Sequence, residues 1–237
     1  MGLSLFLIAC LVIFAHLWKI AAARIGALGL NPEQLLLYIA FNEWVLISLP
    51  DIQEDMEQDV RSGRLAYWLP RPISYLCALF FEGLGILCVN LFVLGVVAFS
   101  FTAVRIGGIP LSLDAFAIAL LIGLGAGCVG LIFQMLVGIS AFWFQQVGPF
   151  YWVWEKLLFT FGGLILPLSV YPLWLQKIGY LTPFSAILGG RSALVLDYRF
   201  GHVVSVLAAL LFWAVCGTAL LVFLYRKGLK IVHIEGG

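Results

Sequence analysis

The chain has 237 residues, 63% hydrophobic and only 11% charged, whereas an ordinary soluble domain carries roughly 25% charged residues. A water-facing surface cannot be built from that composition. The net charge is +1 and the 13 Lys and Arg residues are scattered, which leaves no dense basic patch to grip a phosphate backbone and excludes nucleic acid as a partner. Five cysteines, Cys10, Cys77, Cys88, Cys128 and Cys216, lie in apolar runs without zinc or redox spacing. They read as small residues buried in the membrane.

The apolar runs are long enough to cross a hydrocarbon core of about 30 Å, which takes roughly 20 helical residues. Taken in order, they predict an all-α integral membrane protein with six transmembrane helices in one domain spanning 1–237. The first runs from Leu3 to Ala23, with His16 and Lys19 near its far end and Arg24 closing it. No Lys or Arg precedes Lys19, unlike a signal peptide, so this segment is expected to be retained. The second starts at Asn31, a helix cap followed by Pro32 and by Glu33 at the positive end of the dipole; it reaches Leu49 and stops at Pro50.

Asp51 to Arg71 then leaves the bilayer core, because it concentrates Asp51, Glu54, Asp55, Glu57, Asp59, Arg61, Arg64 and Arg71. Ile52, Met56 and Val60 recur at i, i+4, i+8, giving a short helix one apolar stripe beside an acidic face, as a docking surface needs. Ser62-Gly63 ends it, Gly providing the turn. Ile73 to Val104 and Leu113 to Phe144 are the third and fourth spans. The fifth, from Pro149 to Leu166, is barely a bilayer thickness. Leu168 to Tyr198, broken by Pro172 and Pro183, reads as two half-inserted helices packed against protein. The sixth span is Val203 to Tyr225, closed by Arg226 and Lys227.

Glu43, Glu82, Glu155 and Lys156 are the ionisable residues expected within the membrane, where their cost makes each a functional hypothesis. Glu43 falls near mid-bilayer, and Glu82 and Lys156 are placed to pair. A polar substrate path and a proton relay compete with structural pairing. No G-x-x-x-x-G-K-[ST] loop occurs, so this chain does not hold ATP as a P-loop ATPase does. Gly125, Gly127 and Gly130 spell G-x-G-x-x-G, but inside an apolar helix, where with Gly123 they predict close helix packing. His16, His202 and His233 lack metal-ligand spacing. Tyr151, Trp152 and Trp154, and beyond the fifth span Tyr171, Trp174 and Tyr180, read as interfacial belts. Basic residues divide almost evenly between the two faces, so charge alone does not orient the chain.

Asp59-Val60-Arg61-Ser62-Gly63-Arg64-Leu65-Ala66-Tyr67-Trp68-Leu69-Pro70-Arg71-Pro72 resembles the first cytoplasmic loop of type-2 ATP-binding cassette (ABC) exporter permeases. Phe161-Gly162-Gly163-Leu164-Ile165-Leu166-Pro167-Leu168, with Tyr171-Pro172 and Leu181-Thr182-Pro183-Phe184, is similar to that family's lead into its re-entrant helices. Together with the helix order, these motifs cover most of the chain. The resemblance implies a permease subunit of an ATP-driven exporter in the cytoplasmic (inner) membrane, with both termini cytoplasmic and no catalytic site of its own. It further implies a cytoplasmic loop at 51–71 whose coupling helix docks on a separate ATPase through Glu54, Asp55, Glu57, Asp59, Arg61, Gly63 and Arg64, and a non-cytoplasmic re-entrant region at 168–198. The implied partners are two ABC ATPase subunits, which would carry ATP and Mg, and a second permease, identical or homologous, amid membrane lipids. The family pattern opens with an amphipathic interfacial helix, whereas here the first apolar run begins at Leu3. The rival reading is an ion-coupled transporter or channel working through Glu43 and Glu82.

Overall fold

In the computed structural model, residues 2–22, 26, 30–68, 70–109, 111–144, 146–196 and 198–235 are described, 231–235 by backbone alone. Arg24, Leu69 and the side chain of His233 lie outside that set. The elements are α1 (Gly2–Ile20), α2 (Pro32–Ser48), α3 (Ile52–Arg61), α4 (Tyr75–Ile106), α5 (Leu113–Gly138), α6 (Gly148–Phe161), α7 (Leu173–Tyr180), α8 (Pro183–Ile187), α9 (Gly189–Ser192) and α10 (Phe200–Glu235), with short 3-10 turns between some of them. There is no strand among the described residues.

Local chemistry sets the helix starts. The Asn31 side chain accepts the Glu33 N–H at 3.0 Å ahead of Pro32, satisfying a backbone donor that a helix leaves free at its first turn. Ser74 and Ser112 do the same for α4 and α5, accepting from Cys77 and Ala115. At Leu49-Pro50 the chain breaks, and α3 resumes at once beyond it.

Five helical stretches among the described residues are long and apolar enough to cross a membrane: α1, α2 continued through α3, α4, α5 with its 3-10 extension to Phe142, and α10. The predicted fifth span falls short. α6 has 14 residues, about 21 Å at 1.5 Å per residue, and ends at Phe161 instead of Leu166. The reason lies in Gly162-Gly163, where Gly163 turns the chain at φ 67° before Pro167 is reached.

α2 is the central helix, with every residue from Leu35 to Val45 buried. Phe41, Phe99 and Phe116 form its aromatic nucleus, with ring centroids 4.6 to 6.0 Å apart. The glycine run of α5 serves packing, as its spacing predicts: Gly123 lies against the Trp44 ring, Gly127 against Leu87 and Gly130 against Leu49. The cysteines are free; Cys77, Cys88 and Cys216 face out of the bundle rather than into it, and Cys10 and Cys128 are half-buried.

Beyond α6 the chain folds back as α7, α8 and α9 and a 3-10 turn at Ala193–Val195 before α10 begins. This region is stitched to α2. Tyr38 donates to the Gly163 carbonyl, Asn42 donates to the carbonyls of Leu164 (2.9 Å) and Gly163 (3.3 Å), and Ser192 donates to the Asn42 side-chain oxygen at 2.6 Å. The Gly189 N–H closes the set on the Gly162 carbonyl at 2.8 Å.

Candidate functional site

α3 turns its apolar side into the bundle. Ile52 and Met56 are fully buried and Gln53 with them, and the helix approaches α5 so closely that a Cβ at Gly138 would stand 3.1 Å from the Gln53 Cα and the Met56 sulfur. The apolar stripe read as a docking surface is therefore occupied by the chain itself. What faces out is the polar side: Asp51, Glu54, Asp55, Gln58, Arg61 and Ser62 are all exposed.

Two of the acidic residues expected on that outer face work inward. Glu57, with its side chain 17% exposed, accepts the Val147 N–H at 3.0 Å through one oxygen and pairs with Arg61 at 3.0 Å through the other. Asp59, 15% exposed, accepts the Tyr75 hydroxyl at 3.0 Å and pairs with Arg64 at 2.9 Å. These are charge-assisted bonds, and they tie α3 to the start of α6 and the start of α4. Arg61 and Arg64 keep 58% exposure.

α3 ends as its sequence predicts. Ser62 donates backbone and hydroxyl bonds to the Gln58 carbonyl, and Gly63 takes the left-handed conformation at φ 71°, which costs a Cβ-bearing residue about 1–2 kcal/mol. The chain then makes a 3-10 turn at Arg64–Tyr67, and Arg71 lies over the Trp68 ring at 4.3 Å. Between α3 and the start of α6 lies a cavity of about 320 Å³, lined by Gln53, Glu54, Glu57 and Arg61 on one side and Gly148 and Tyr151 on the other.

The four intramembrane candidates do not converge. Glu43 is buried on α2, 6% exposed, with Cys10 of α1 nearby and no hydrogen-bond or ion-pair partner among the described residues. Glu82 is exposed on α4. Lys156 is exposed on α6, its ammonium 5.0 Å from the Phe159 ring and 5.5 Å from Trp152, and Glu155 beside it is half-buried. The expected Glu82–Lys156 pair is not formed, because α4 packs on α1, α2 and α5 whereas α6 packs on α5, α7 and α8. Among the aromatics, Trp154 leaves the expected belt: it stacks on Phe133 at 5.2 Å and packs on Phe184 at 4.9 Å.

Sequence reading missed Arg191, which is wholly buried in α9. It donates to the Phe41 carbonyl at 2.7 Å and lies 5.9 Å from the Trp44 ring, while its Nε and Nη1 find no partner among the described residues. An arginine inside the apolar Leu168 to Tyr198 stretch was the available signal.

Residues 7–236, nearly the whole chain, match the family described as ABC-2 family transporter protein. The chain belongs to that ABC-2 family. It is thus an integral membrane permease of an ABC transporter, the membrane component and not the ATPase, and it partners ABC ATPase subunits. No curated protein matches the sequence.

Proposed function

We propose that this ABC-2 permease is one half of the substrate pathway of an exporter in the cytoplasmic membrane, and that the outer face of α3 receives an ATPase subunit. The observation that carries this reading is the division of labour along α3: Ile52 and Met56 lock it into the bundle, while Glu54, Asp55 and Gln58 are exposed on the outside, their side chains making no hydrogen bond or ion pair among the described residues. A docking element needs both a rigid root and an uncommitted face. Force applied there reaches α4 through the Asp59–Tyr75 bond and α6 through the Glu57–Val147 bond, shifting the population between two access states.

On this reading residues 51–71 are cytoplasmic, both termini lie on that side, and α7 to α9 face the opposite one. Two ATPase subunits hold ATP and Mg, and a second permease, identical or homologous, completes the pathway. The ion-coupled alternative needs Glu43 and Glu82 in one site, and a buried Glu43 on α2 with an exposed Glu82 on α4 does not support it. The test is transport in proteoliposomes containing permease and ATPase. Export driven by ATP and indifferent to ion gradients supports the proposal; transport by the permease alone under an ion gradient overturns it.

A further inference from the structure

An apolar cavity of about 530 Å³ runs between the first turns of α4 and the last part of α10, with α5 as its floor. Phe80 and Phe81 of α4, Met135 of α5 and Leu221 and Val222 of α10 line it. It opens on the bundle's apolar flank, where Phe81 is 67% exposed. Ser74, Tyr225 and Arg226 stand towards one end, and no acidic side chain among the described residues lines it. Arg226 is exposed and has no ion-pair or hydrogen-bond partner among the described residues. Tyr225, beside it, is held by stacking on Tyr75 at 6.2 Å.

The dimensions and charge fit one occupant. Along α10 the groove runs from Thr218 to Arg226, with Leu229 one turn beyond; Thr218 to Arg226 is about 12 Å at 1.5 Å per residue, most of the roughly 15 Å that is half of a hydrocarbon core of about 30 Å. Arg226, the one cation among the described lining residues, sits where α10 passes from apolar sequence into Arg226-Lys227, the kind of boundary at which a membrane helix meets the lipid headgroups. A protein partner would have no reason to match one leaflet in depth and carry its anion only at the rim.

We propose that this groove is a binding site for an anionic phospholipid of the leaflet on the α3 side, with an acyl chain between α4 and α10 and the phosphate on Arg226. The site is independent of the assignment of α3 to ATPase docking. Native mass spectrometry of the purified full-length chain, in detergent with equal amounts of phosphatidylglycerol and phosphatidylcholine, tests it. The wild type should retain phosphatidylglycerol over phosphatidylcholine by roughly tenfold, about 1.4 kcal/mol, because both lipids offer a phosphate to Arg226 but only phosphatidylcholine brings a choline cation that repels the guanidinium. Arg226→Ala should bring the ratio near parity and Arg226→Lys should keep most of it. Cys77→Trp, which fills the groove and leaves the cation, should lose the retained lipid, and Lys227→Ala, whose ammonium lies over Phe223 at 4.5 Å, should behave as wild type. Parity in the wild type, undiminished preference in Arg226→Ala, or an equal loss in Lys227→Ala overturns the site.

Discussion

Among the described residues, Asn42 is a buried polar side chain on which three hydrogen bonds converge. Its amide donates to two carbonyls of the turn after α6 and its oxygen accepts from Ser192, all within a buried setting where an unmet polar group costs about 1–3 kcal/mol. Asn42→Ala should therefore lower stability by about 3 kcal/mol and Ser192→Ala by about 1 kcal/mol. Because the two share one bond, thermal unfolding of the double variant in detergent should show less than the sum; strict additivity would remove the link. Glu82 and Lys156 give the opposite expectation. With Lys156 resting on aromatic rings and Glu82 exposed on another helix, Glu82→Gln and Lys156→Gln should be additive in the same assay.

At the scale of the element, α3 has two faces that mutate differently. Glu57→Ala leaves the buried Val147 N–H without its acceptor and should cost the permease about 1–3 kcal/mol, measured as a lower melting midpoint before any ATPase is added. Gly63→Val forces a β-branched residue to φ 71°, so the end of α3 should shift at a cost of about 1–2 kcal/mol. Retention of the ATPase should fall further than stability does. How far these features were legible depended on range. The Asn31-Pro32-Glu33 start and the Ser62-Gly63 stop act within a turn or two of sequence, and the glycine run of α5 declares close packing by its own spacing although its partners Trp44, Leu87 and Leu49 are distant in sequence; all three agree with the structure. The inward use of Glu57 and Asp59 was not, because their partners Val147 and Tyr75 lie 90 and 16 residues away and an acidic side chain on a charged loop looks solvated by default.

For the whole molecule, the helix order and the membrane class followed from hydropathy alone, whereas the fifth span did not, since Gly162-Gly163 ends α6 ahead of the proline that seemed to do so. Arg191 escaped for a related reason: burial of an arginine depends on Phe41 and Trp44 150 and 147 positions earlier, which no periodicity reveals. The arrangement places α7 to α9 after the C-terminal end of α6, while its N-terminal end meets α3. With the native cysteines replaced by serine, a cysteine at the exposed Trp174 should react with impermeant reagent only from the non-cytoplasmic side of oriented vesicles.

On the proposed reading, the outward face of α3 transmits ATP hydrolysis to the bundle. Glu54→Lys with Asp55→Lys reverses two exposed charges that make no hydrogen bond or ion pair among the described residues; because both sit in the first turn of α3, permease stability should fall by no more than about 1–2 kcal/mol. In complexes reconstituted into liposomes, this variant should lose ATPase retention and substrate-stimulated ATP hydrolysis by at least about tenfold, an interaction loss of about 1.4 kcal/mol or more. Wild-type retention and wild-type stimulated hydrolysis in the double variant would show that the outward face of α3 does not receive the ATPase.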